Sequence, residues 1–198
     1  LCTFYQHAHF LLLDMSKPLS RPDFSNSSPY SSSYEKFIDV EECKSLVSSV
    51  TFSLLSCNVR SLNAQCDTFK DLVLNIGQPS ILAIQEIWNG SESSMNIPSY
   101  KAVTKLRSRK RGGGVGIWTR SALKTYSDVT LESIDTKIFE MVHTIVEVNN
   151  SKILVLCLYR PPESKFNESI SELSMIFRAC EQLNMKTFIV GDFNINLL

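Results

Sequence analysis

The chain of 198 residues has six cysteines but no CxxC pair, and none of its three histidines clusters with a cysteine. That excludes the usual zinc centres, whose ligands recur at short, regular spacing. Cys57 and Cys157 lie inside apolar runs, where a free thiol behaves as a small hydrophobe. The cysteines are therefore expected to be reduced and the chain intracellular. No apolar run nears the ~20 residues of a membrane-spanning helix. The apolar stretch at 10–13 has no basic residue before it, so neither a membrane partner nor a secretory leader is expected. Net charge is missing too, since twenty basic residues balance twenty acidic ones. With 43% apolar and 20% charged residues, disordered, collagen-like and coiled-coil classes are excluded. The chain opens on Leu1, which suits a fragment or a translation that starts upstream of Met15.

What is present is unevenly placed. Residues 101–120 hold seven basic side chains and no acidic one. The rest of the chain is then acidic, and this basic run is a candidate phosphate-facing surface. Between Ser20 and Ser33 half the positions are serine, interrupted by Pro22 and Pro29. Such a segment buries too little apolar surface to offset its ordering entropy. Residues 1–48 are therefore expected to be a Ser/Pro-rich, disordered tail, with a marginal helix near 35–48, and 49–198 to be the folded domain.

Within that domain the periodicities predict strands over 51–57, 81–85, 115–119, 139–148, 152–158 and 186–190. Asn149-Asn150 suits the tight turn of a hairpin between the fourth and fifth of these. Phe69, Leu72, Val73 and Ile76 follow helical spacing, with Asn63 as the expected cap and Gly77 and Pro79 as the stop. Ser169 and Glu172 suit a capping box for a second helix carrying Leu173, Ile176, Phe177 and Cys180. Four of the seven glycines fall within 112–116, a tight turn directly after the basic run. The order β-α-β, several strands, then α-β predicts an α/β domain.

Four of the strands end in groups that need a polar partner: Asn58, Glu86, Tyr159, and Asp192 with Asn194. Each has a bland explanation singly, as a turn residue, surface carboxylate or core-edge aromatic. Together they suit phosphodiester hydrolysis, where a stable ester demands charge neutralisation and a placed nucleophile. Glu86 has the chemistry of a Mg2+ ligand. Asp192 can orient or deprotonate water. Asn58, Asn194 and the Tyr159 hydroxyl can donate to phosphate oxygens. On an extended backbone, Asp192 and Asn194 at i and i+2 would point the same way.

The ordered set Cys57-Asn58-Val59-Arg60-Ser61-Leu62, Gln85-Glu86-Ile87-Trp88, Arg111-Gly112-Gly113-Gly114-Val115-Gly116, Tyr159-Arg160-Pro161-Pro162 and Gly191-Asp192-Phe193-Asn194 resembles the endonuclease/exonuclease/phosphatase family. It is most similar to the endonuclease domain of jockey-type non-LTR retrotransposons. The resemblance covers 50–198. It implies two β-sheets packed face to face between outer helices, a four-layer sandwich, and cleavage of DNA dependent on Mg2+ or Mn2+. By motif position it implies Asn58, Tyr159, Asp192 and Asn194 as catalytic and Glu86 as metal ligand. Arg107, Arg109, Lys110, Arg111 and Arg160 are the expected nucleic-acid contacts. A reverse transcriptase domain in the full-length element and a nuclear location are further implications; oligomeric state is left open.

One motif has no counterpart. The family closes with a Ser-Asp-His motif, whose Asp–His pair acts at the scissile phosphate. Here the one Ser-Asp pair, Ser127-Asp128, is followed by Val129 and precedes Asp192. His143 reads as a structural histidine, and His7 and His9 fall in the tail. The chain is therefore expected to be truncated before that pair and inactive alone, with exposed apolar surface and an unpaired sheet edge. Two alternatives stand beside the nuclease: a catalytically dead nucleic-acid-binding remnant using the basic 105–111 loop, and a hydrolase of small phosphoesters.

Overall fold

The structure is a computed structural model. It describes residues 40–88, 95–107 and 112–195, and the backbone of 8–13. In chain order the elements are β1 (Ala8–Leu13), α1 (Val40–Ser49), β2 (Phe52–Asn58), α2 (Leu62–Asn75), β3 (Ile81–Gln85), β4 (Tyr100–Lys105) and β5 (Val115–Arg120). They continue with β6 (Lys124–Tyr126), α3 (Val129–Glu132), β7 (Glu140–Val148), β8 (Ser151–Tyr159), α4 (Phe166–Gln182) and β9 (Lys186–Asp192).

Two sheets form, one ordered β1-β2-β3-β5-β4 and one ordered β6-β7-β8-β9. Each contains one parallel pair, β2 with β3 and β8 with β9. Such a pair needs a crossover, supplied by α2 in the first case and α4 in the second. The sheets share a core in which Phe52, Leu54, Ile81 and Ile117 meet Val146, Ile153, Val155 and Cys157. On the outer face of the first sheet, Phe69 and Val73 of α2 and its C-cap residue Ile76 cover Leu55, Cys57, Leu82 and Ile84. On the outer face of the second, Ile176 and Cys180 of α4 cover Leu154, Leu156 and Leu158. Strict alternation along β8 thus feeds two different cores, as a period of two requires. The result is the α/β domain predicted by the element order, in the four-layer form that the family resemblance implies.

Several local expectations are corrected. The helix expected near 35–48 is present as α1, but it buries Cys43 and Val47, and β1 pairs antiparallel with β2, so parts of the expected tail pack on the domain. The Ser/Pro-rich segment 14–34 lies outside the described residues. The cap of α2 is Ser61, whose side chain accepts from the Ala64 amide at 3.3 Å, not Asn63. The Ser169–Glu172 capping box does not form, because α4 starts at Phe166. Glu172 reaches across instead to accept from the amides of Lys137, Ile138 and Phe139 at 3.0, 3.1 and 2.8 Å. The β7–β8 hairpin turns at Asn149 and Asn150 with φ of 48° and 61°, the left-handed pair that a two-residue turn demands. Among the described residues β9 is an outer edge of its sheet. Its Phe188, Ile189 and Val190 are only half-buried.

Candidate active site

The carboxyl ends of the two parallel pairs lie at the same end of the sandwich, where α/β proteins gather reactive groups. Asn58 pairs in register with Gln85, one residue before Glu86, and Tyr159 pairs with Asp192. The Asn58 Nδ2 group joins the two sheets. It donates to Glu86 Oε1 at 2.9 Å and to Asp192 Oδ2 at 2.8 Å. The Tyr159 hydroxyl donates to the same Glu86 oxygen at 3.1 Å, and Trp88 Nε1 donates to Glu86 Oε2 at 3.3 Å. Four predicted residues therefore meet in one hydrogen-bonded set.

Glu86 sits at φ 53°, a left-handed conformation costly for a residue with a Cβ. Its surroundings hold it there. The Ser61 amide donates to the Glu86 carbonyl at 2.7 Å. The following amides of Ile87 and Trp88 donate to the carbonyls of Gly114 and Gly113 at 3.2 and 2.9 Å. Strain at one residue is thus opposed by bonds from the loops after β2 and before β5, which fix the carboxylate under Asn58. Below the site the buried Gln85 donates to Ser56 Oγ at 3.2 Å and to Cys157 Sγ at 3.1 Å. Burial pushes the Cys157 thiol up to about 12, so it is a packing group and not a nucleophile.

Burial and the Glu86 carboxylate raise the Tyr159 phenol well above its ordinary value, with Arg107 opposing. The phenol is consequently a hydrogen-bond donor throughout the neutral range. Asp192 Oδ1 accepts from the Asn194 amide at 3.0 Å, which turns the carboxylate toward Asn58.

Two predicted roles change. Asn194 was to point alongside Asp192 from an extended strand. In fact β9 ends at Asp192, Asn194 has φ 47°, and its Nδ2 donates to the Arg160 carbonyl at 2.7 Å. Its amide side chain braces the loop while its backbone orients Asp192. Arg160 is only 5% exposed, with Nη1 donating to the carbonyls of Phe193 and Asn194 at 3.3 and 3.0 Å. A guanidinium folded under the exit of β9 is a brace for that loop, not a contact for nucleic acid. Arg109, Lys110 and Arg111 lie outside the described residues. Lys101 Nζ donates to the Leu123 carbonyl at 2.9 Å.

Arg107 is part of the site wall. Its guanidinium stands over the Tyr159 ring at 5.8 Å, and its Nε donates to Glu140. Sequence reasoning missed Glu140, although a signal existed. Counting back from the Asn149-Asn150 turn pairs Glu140 with Tyr159, and that is the observed register. His143 accepts from the Asp128 amide through Nε2 at 3.1 Å, a structural histidine as expected.

The donor set suits a hard divalent cation, which takes one or two carboxylates and leaves other positions to water and substrate. An ionised carboxylate offers about four acceptor positions. Glu86 spends three on Asn58, Tyr159 and Trp88, which leaves one for a metal. Asp192 spends two. Among the described residues no three His, Cys, Asp or Glu side chains converge on one point.

This fold and site define a class. The chain belongs to the endonuclease/exonuclease/phosphatase family, whose profile matches residues 55–197. Among solved structures it is similar to the endonuclease domain of TRAS1, a telomere-specific non-LTR retrotransposon, with TM-score 0.53 and 13% identity. That match covers 73% of this chain and 61% of the TRAS1 chain. A truncated TDP2 of Caenorhabditis elegans matches with TM-score 0.53 and 15% identity, covering 70% of this chain and 58% of its own. ANGEL2, a 2',3'-cyclic phosphatase, matches with TM-score 0.51 and 15% identity over 65% of this chain and 42% of its own. At such identities the likeness is one of fold, and the chain spans less than two thirds of each of these proteins. No curated protein matches the chain in sequence.

Proposed function

We propose that the chain is a divalent-metal-assisted phosphodiester hydrolase acting on DNA, of the retrotransposon-endonuclease type. The observation that carries the proposal is the Asn58 amide bridging Glu86 and Asp192 across two sheets, with the Tyr159 hydroxyl on the shared Glu86 oxygen. Glu86 would hold Mg2+ or Mn2+, which supplies charge neutralisation at the phosphate. Asp192, oriented by the Asn194 amide, accepts the proton of the attacking water. The Tyr159 phenol, kept protonated by its surroundings, gives its one hydrogen to Glu86, and Asn58 gives its two to Glu86 and Asp192; both hold the carboxylates in place for the metal and the water.

DNA as substrate rests on the resemblance of the five ordered motifs to retrotransposon endonucleases; a reverse transcriptase partner and a nuclear site of action follow from the same resemblance. The rate is expected to be low, because no described residue supplies the Asp–His pair that the resemblance implies. Nicking of supercoiled plasmid detects a single break per molecule and suits a slow enzyme. Relaxed circles forming with Mg2+ or Mn2+, and not with EDTA or with Asp192→Ala, would support the proposal. DNA binding without nicking in either metal would replace it with a binding protein.

A further inference from the structure

Beyond the strand-end residues, one side-chain cluster remains unassigned. Glu140 accepts from Arg107 Nε with one carboxylate oxygen and from the Gly114 amide with the other. Both side chains are largely enclosed, 22% exposed for Arg107 and 16% for Glu140. The register Glu140↔Tyr159 places the carboxylate on the strand directly beside the phenol, and the guanidinium covers that ring. Gly113 makes the space, since a Cβ there would fall 2.6 Å from Arg107 Nε and Nη2. Its φ of 72° suits glycine as well.

A guanidinium has five N–H donors in a rigid fork. Glu140 uses the one on Nε. The four on Nη1 and Nη2 make no hydrogen bond among the described residues, and the Arg107 side chain remains 22% exposed. A fork held from behind by a carboxylate and from the side by an aromatic face is built to receive an anion of fixed geometry. A phosphodiester entering beside Glu86 and Asp192 meets two carboxylates, so a placed cation there offsets that repulsion.

We propose that Glu140 is a positioning residue that holds Arg107 over Tyr159, so that the outward guanidinium edge receives a phosphate of the nucleic-acid backbone. The ligand class rests on the phosphodiester reading of the site, but the claim needs no turnover. The contribution of Glu140 is geometric, since it fixes the guanidinium through Nε. The pair acts as a unit, and losing either member abolishes the same contact.

The test is a double-substitution cycle on binding of a fluorescein-labelled 20-bp duplex, read by anisotropy in EDTA so that no cleavage intervenes. Arg107→Gln is expected to weaken binding about tenfold and to lower the slope of log K against log salt by about 0.9. Glu140→Ala should weaken it to the same extent, Glu140→Gln should recover most of that loss, and the double variant should be no weaker than Arg107→Gln alone. Arg107→Lys, which keeps the charge and loses the fork, should bind like Arg107→Gln; it leaves the fold untouched should Glu140→Ala fail to fold. Multiplying losses in the double variant, full binding by Arg107→Lys, or no measurable binding by the unsubstituted chain would each overturn the proposal. An intact cycle with no nicking would instead sink hydrolysis and leave this anion contact standing.

Discussion

Gly191→Ala probes the point at which fold and site are joined. Gly191 lies in β9 opposite Leu158, one residue before Asp192. A Cβ added there would fall 2.7 Å from the Leu158 carbonyl carbon and 2.9 Å from its nitrogen, with the carbonyl oxygen nearer still. All three atoms are backbone, so no side chain can swing aside, and β9 must move away from β8 by more than 1 Å. That displacement costs about two ladder hydrogen bonds at roughly 1 kcal/mol each. The φ of 147° adds about 1–3 kcal/mol for a residue with a side chain. The expected loss is therefore about 3–5 kcal/mol, a large share of an ordinary domain's stability. Urea unfolding followed by far-UV circular dichroism measures it, and with a slope near 2 kcal/mol/M the midpoint should fall by about 2 M. A loss under about 1 kcal/mol would mean that β8 and β9 are not joined in this register, and the pairing of Tyr159 with Asp192 would fall with it.

Other outcomes follow from single groups. Burial lowers the pKa of His143 from 6.5, against opposing pulls from Glu132 and Asp128. A depressed value favours the neutral form in the folded state, so its contribution is full above pH 6.5 and lost as pH falls below it. Stability measured from pH 7.5 down to pH 5 should decline less for His143→Asn than for the unsubstituted chain. Glu172→Ala strips the acceptor from three amides at 137–139 and should cost about 2 kcal/mol, read as a lower Tm. Glu172→Gln, which keeps one acceptor oxygen, should recover part of that loss.

The legible parts of the fold were those set by local pattern. β3 is an unbroken apolar run and was placed at 81–85, its observed bounds. The β7–β8 hairpin announced itself through two asparagines that tolerate left-handed backbone. β4 went unseen because Lys101, Thr104 and Lys105 break any apolar alternation; it is an edge strand with five of its six residues exposed. β1 is not legible beside a Ser/Pro-rich stretch, because its stability comes from pairing with β2, 39 residues or more away in sequence. In the site, the residues that end strands were legible because a polar group closing an apolar run needs a reason. Asn194, Arg160 and Arg107 were identified as site groups, but their orientation was not legible. That depends on where a backbone turns, as at Asn194, or on which carbonyls a guanidinium meets, as at Arg160. Glu140 needed two readings combined, the turn position and the strand register, neither of which marks it alone.

The central claim is that Asn58, by holding Glu86 and Asp192 together, assembles one phosphodiester-cleaving centre from two sheets. The most direct measurement is the rate of plasmid nicking in Mg2+ by Asn58→Ala against the unsubstituted chain, with circular dichroism showing both folded. Loss of the amide that holds both carboxylates in place should lower the rate by about 10- to 100-fold. An unchanged rate in a folded Asn58→Ala chain would contradict the account and place any cleavage outside this set of residues.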